Sequence, residues 1–196
     1  MPAGYLSALL AIGLAAPLPA QWSTSLVVAR TATAGYLASD DGSEFRPGSP
    51  HEYTVTIARE ARSWRLRAGA RVIRASLTVS DGEVSLTTHG LVRGNGLVAD
   101  VSRRALGDGV APTLRVGLGG ELVRWTVAGL GDSRHWVVAA TGSLEGSVAI
   151  GRRMRALVRG EVVAGPSIFH DDVATEGFVL KRAIRHGMAL GVSVTP

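Results

Sequence analysis

The chain has 196 residues, of which 46% are hydrophobic and 19% charged, with 25 glycines, 8 prolines and no cysteine. That length and apolar fraction fit one domain with a real core and exclude a disordered chain, while the missing cysteine excludes a disulfide framework, a thiolate metal site and a cysteine nucleophile. The net charge of +5 is almost all arginine, since Lys181 is the single lysine, and the arginines alternate with Leu, Ala and Val along the chain; nucleic-acid binding would need a clustered basic stripe with interleaved aromatics.

Residues 5–18 form a short apolar run that ends in Pro17, Leu18, Pro19 and Ala20. It has the outline of a secretory signal peptide, too short and too interrupted by proline to span a membrane as a helix. Residues 1–20 are therefore expected to be removed on export, leaving a chain that begins near Gln21. A buried N-terminal helix is the alternative.

Beyond this run, apolar and polar residues alternate with period two, which predicts strands with one apolar and one polar face. Eight strands are expected, over 24–38, 51–60, 63–79, 83–102, 112–128, 134–150, 154–166 and 178–195. In the second, Tyr53, Val55 and Ile57 oppose Glu52, Thr54 and Thr56; in the third, Trp64, Leu66 and Val72 oppose Arg65, Arg67 and Arg71. The fourth is kept whole across Gly94-Asn95-Gly96, with a bulge expected there. The sixth alternates longest, setting Trp136, Val138, Leu144 and Val148 against Thr141, Ser143, Glu145 and Ser147. The last sets Leu180, Ile184, Met188, Leu190 and Val192 against Lys181, Arg185 and Ser193. Such runs exceed the about 5–6 residues of an ordinary strand and reach the about 9–11 that a strand needs to cross hydrocarbon. Loops at 39–50 and 167–177, with tighter turns at Asp81-Gly82 and 129–133, alternate with connections at 61–62, 103–111 and 151–153 on the other side.

Tyr36, Tyr53, Trp125, Trp136 and Phe178 fall near the loop-side strand ends and Trp64 near the turn side, as an interfacial aromatic girdle would. In this pattern the chain resembles the small eight-stranded outer-membrane β-barrels of the OmpA/OmpX type. The resemblance implies an all-β fold, an antiparallel up-and-down transmembrane β-barrel over residues 21–196, in the bacterial outer membrane. It implies contact with membrane lipid and lipopolysaccharide and insertion by the outer-membrane assembly machinery. It also implies a non-enzymatic role, as envelope scaffold or as a binding protein acting through its loops. A lipid- or lipopolysaccharide-modifying barrel enzyme and a secreted soluble β-barrel or sandwich carrier are the alternatives. The membrane reading requires Val138, Leu144, Val148, Val158, Val162, Leu190 and Val192 to face outward and Glu145, Arg159 and Glu161 inward. Arg30, Arg182 and His186 share the apolar parity and are expected near the rim or beside bulges.

Eight strands enclose an interior just wide enough for side chains to fill. The polar faces put Glu52, Glu60, Glu121, Glu145 and Glu161 there with Arg65, Arg67, Arg71, Arg115, Arg155, Arg159, Lys181 and Arg185. They are expected to pair as a salt-bridged plug, because an unpaired buried charge costs far more than a paired one; a narrow anion-preferring path lined by surplus arginine is the alternative. His51, His89, His135, His170 and His186 lack metal-ligand spacing, so neither a metal nor a cofactor is expected. His170-Asp171-Asp172 reads as a solvated loop tip. Ser85, Thr87 and His89 share a strand face that points inward in this register, and no Gly-x-Ser-x-Gly motif is present. Gly117, Gly119 and Gly120 precede no helix, so they are expected to relieve crowding rather than to cradle phosphate.

Overall fold

The computed structural model describes residues 22–34, 37–81, 83–107, 112–128, 133–169, 178–180 and 182–196. The expected signal peptide, Tyr36, the His170-Asp171-Asp172 cluster and Lys181 lie outside the described residues. The strands are β1 (Trp22–Ala34), β2 (Leu37–Ser39), β3 (Glu44–Ala61), β4 (Trp64–Ser80), β5 (Ser85–Leu106), β6 (Thr113–Val127), β7 (Ser133–Ala149), β8 (Met154–Gly165), β9 (Phe178–Leu180) and β10 (Ala183–Val194).

Eight long strands form an antiparallel ring. Each pairs with its neighbours in chain order, and β1 closes the circle by pairing with β10 on one side and β3 on the other. Closure leaves the ring without a free edge, the condition for a sheet to lie in hydrocarbon. The short strands β2 and β9 pair with each other, and β2 also pairs with β3, raising the wall on the loop side.

Alternation decides which face each residue takes, and the barrel is inside-out relative to a soluble protein. Val138 is 68% exposed, Leu144 51% and Leu190 67%, whereas Glu145 is 3% exposed and Arg159 6%. Val148, Val158, Val162 and Val192 also face outward, and Glu161 faces inward. A soluble carrier would show the opposite parity.

Four strand boundaries differ from the pattern. The 39–50 segment, read as loop from its prolines and glycines, is largely strand: β3 begins at Glu44 and Pro47 pairs with Leu77. A register shift between Gly48 and His51, with Ser49 at φ 35°, lets both Pro47 and Pro50 bury their rings in the interior, and Pro50 falls at the break in pairing with β4. The fourth strand runs on to Leu106, and the first and last predicted strands are each covered by two described strands, β1 with β2 and β9 with β10. The bulge expected at Gly94–Gly96 is elsewhere. Ile73 pairs with Gly94 and Arg71 with Gly96 in unbroken register, while the partners of Ala75 and Leu77 jump from Val92 to Thr88 around Gly90, at φ 75°. Gly94 serves packing instead: a Cβ there would stand 3.2 Å from Cζ3 of Trp125 and 3.0 Å from Cγ1 of Val123.

Candidate functional site

The lumen is filled in two storeys. In the middle of the barrel, inward positions of β3 to β8 and β10 bring Arg65, Arg67, Arg71, Arg159 and Arg185 against Glu52, Asp100, Glu121, Glu145 and Glu161, five cations to five carboxylates. Arg71 reaches Glu161 at 2.6 Å, Glu121 at 2.7 Å and Glu52 at 3.4 Å. Arg185 sets its Nε 2.6 Å from Glu52 as an ion pair and donates from a terminal nitrogen to Glu121 at 2.8 Å. Arg67 bridges Asp100 at 2.6 Å and Glu145 at 3.1 Å; Arg65 also binds Glu145, and Arg159 joins Asp100 at 3.3 Å to Glu161 at 2.9 Å. Every carboxylate therefore meets at least two guanidinium groups, whose planar forks suit this geometry. Two voids beside the network hold only about 30 Å³ and 10 Å³, room for a water or two.

The loop-side storey is apolar. Ile73, Val92, Val123, Trp125, Val127 and Val137 point inward from four strands, and Ile168 and Phe169, from the segment after β8, pack among them. Trp125 joins the storeys, because the Arg185 guanidinium lies 5.8 Å from its ring centroid. On the turn side the lumen opens into a cavity of about 540 Å³ lined by Arg65, Arg104, Arg115, Arg152, Arg153 and Arg155 with Glu60 as its carboxylate. Glu60 takes Arg115 and Arg104, and Arg155 donates to Ser147 at 3.1 Å. The cavity ends on the Arg65–Glu145 pair.

Of the residues singled out from the sequence, Arg65, Arg67, Arg159, Arg185, Glu121, Glu145 and Glu161 come together in the central network, and Arg115 lies in the turn-side cavity. Asp100 was not singled out, because Leu97, Val98, Ala99 and Val101 make both faces of that strand apolar and leave its parity unreadable. Gly119 makes room for it: a Cβ there would stand 2.5 Å from that of Asp100.

The girdle is only partly aromatic. Trp64 and Trp136 face outward at 49% and 59% exposure, and Tyr53 is half-buried on the outer face of β3. Trp125 does not belong to it, being 2% exposed inside the barrel. Phe178 packs on the apolar storey, edge-on to Phe45 at 5.4 Å. Trp22, unmarked in the sequence, stands at the turn side, where Arg59 covers it at 5.9 Å as Arg103 covers Trp64 at 5.7 Å. Ser85, Thr87 and His89 do not point into the lumen. The shifted register turns Thr87 to the outer face beside Thr78 at 3.2 Å, and Thr87 and His89 line an outer groove with Arg30, His51 and Arg74, without a carboxylate among its lining residues. Arg30 and His186 are exposed on the outer wall, and Arg182 is exposed just ahead of β10.

No protein-family model matches the chain, and no curated protein does. Solved structures do match in fold. Neisserial surface protein A (NspA) aligns over 90% of this chain and 97% of its own, with a TM-score of 0.60 and 11% identity. The outer membrane protein OprG from Pseudomonas aeruginosa aligns over 89% and 95%, with a TM-score of 0.57 and 9% identity. The chain has the fold of the small eight-stranded outer-membrane β-barrels.

Proposed function

We propose that the protein is a closed, non-enzymatic barrel of the bacterial outer membrane that acts as an envelope scaffold or binds partners through its loops. On this reading residues 1–20 are its export signal, the outer-membrane assembly machinery inserts it, and membrane lipid and lipopolysaccharide surround it. The observation that carries the reading is the filled lumen: five arginines neutralise five carboxylates in the middle, and an apolar storey with Trp125 and Phe169 seals the loop side. Opening a path would break charge pairs in a low-dielectric interior, and a buried charge that loses its partner costs about 3–5 kcal/mol. The surplus arginines stand in the turn-side cavity, which leads to that barrier and not through it. Detergent-refolded protein should migrate as a heat-modifiable band and show no steady conductance in planar bilayers. Stable channels would favour the anion path, and lipid hydrolysis lost on His89→Ala would favour an enzyme.

A further inference from the structure

The outer wall of the barrel carries an arrangement that neither the lumen nor the fold requires. Across β4 to β7, the outward positions just on the loop side of the apolar belt hold Arg74, Arg93, Arg124 and Arg134. Arg74 is directly opposite Arg93, Thr126 is opposite both Arg93 and Arg134, and Arg124 is opposite Trp136. With Asn95 and Thr126, the four arginines line one surface groove of about 220 Å³. Arg93, Arg124 and Arg134 are exposed, and Arg74 gives one hydrogen bond to the Ile73 carbonyl at 2.9 Å.

Like charges directly opposite in a sheet are destabilising. Among the described residues, none that lines the groove is a carboxylate. Among the described residues, the wall carboxylates Glu52, Glu60, Asp100, Glu121, Glu145 and Glu161 all point inward, and Glu44, at the loop end of β3, is held by Arg46 at 3.3 Å. One outward position further toward the turn side, the surface is apolar: Leu97 is 61% exposed, Leu122 38% and Val138 68%, with Trp136 beside them. Four guanidinium groups therefore stand together, without a carboxylate among the groove's lining residues, at the level where an apolar surface begins. Guanidinium forks match phosphate oxygens in bidentate pairs.

We propose that this groove is a binding site for the phosphate groups of a phosphorylated, acylated lipid, whose chains lie along Leu97, Leu122 and Val138. The inference rests on the membrane reading above and adds to it a defined headgroup site on one side of the barrel.

The test is retention of lipid by the full chain, refolded into phosphatidylcholine vesicles containing a minor fraction of a bisphosphorylated acyl disaccharide or, separately, of phosphatidic acid. The protein is then extracted into mild detergent and its bound lipid is read by native mass spectrometry. Wild type should retain the phosphorylated lipids in preference to phosphatidylcholine. Arg93→Gln with Arg124→Gln should lower that retention by about tenfold or more, on a scale of about fivefold per arginine removed from an anionic lipid surface. Arg59→Gln with Arg103→Gln, the same charge loss at the turn side, should leave it unchanged. Equal retention by wild type and the groove double variant overturns the site, as does equal loss in the turn-side control. Displacement by inorganic phosphate at concentrations comparable to the lipid overturns the lipid as occupant. Failure of wild type to enter neutral vesicles, scored by its heat-modifiable band, overturns the membrane reading and this inference with it; insertion without selective retention overturns the groove alone.

Discussion

Arg71 ties three strands together, because its guanidinium meets Glu52 of β3, Glu121 of β6 and Glu161 of β8. Replacing it with methionine keeps much of the volume but strips three buried carboxylates of a shared cation. Arg71→Met should cost about 3–5 kcal/mol, seen as a lower denaturant midpoint in micelles, whereas the exposed Arg152→Ala should move stability by less than about 0.5 kcal/mol. Gly94 is sensitive for a steric reason. Gly94→Val would push its side chain into Trp125 and Val123 and should destabilise by about 1–3 kcal/mol in the same measurement. At this scale most of the charged interior was legible, because over the turn-side parts of β6 and β7 polar and aliphatic residues alternate, Arg115 and Glu121 against Val116, Leu118 and Leu122, and Glu145 against Leu144. Trp125 was legible too, had parity outweighed height: it shares odd positions with Arg115 and Glu121, both of which face inward. Asp100 was not, since its strand is apolar on both faces.

Connections were harder to read than strands. Proline and glycine mark loops only when the backbone has no other way to take them up, and at 47–50 a bulge does so inside a strand. The same holds for Gly94 and Gly96, where side-chain room and not a break in pairing explains the glycines. The tip between β4 and β5 shows how local chemistry fixes a turn: Asp81 accepts hydrogen bonds from the backbone N–H of Val84 at 2.7 Å and of Glu83 at 3.2 Å. The Val84 N–H, then that of Glu83, holds the Asp81 carboxyl below its ordinary value. Because the folded form is the more acidic, the turn keeps this contribution at and above the ordinary aspartate range and loses it as pH falls through the lowered value. The Val84 amide resonance should therefore stay constant from neutrality down to mild acid and move only below the usual aspartate range. In Asp81→Asn it should not titrate there.

For the molecule as a whole, the proposed membrane barrel turns the apolar face of its long strands to lipid and keeps their charged face inside. Closure of β1 on β3 and β10 makes this possible, since no backbone edge is left for water. Sequence pattern carries such a fold well because each strand must satisfy both faces at once, and a one-residue slip would send every charge to the wrong side. The chain has no cysteine, so single cysteines report unambiguously. The most direct test places a small fluorophore at Leu144→Cys, Val158→Cys and Leu190→Cys, which are outward, and at Ser147→Cys, which faces the turn-side cavity. Refolded into vesicles with brominated acyl chains, the first three should be strongly quenched and the fourth quenched only by aqueous iodide. Iodide quenching at Leu144, Val158 and Leu190 with lipid quenching at Ser147, or no lipid quenching anywhere, would contradict the account.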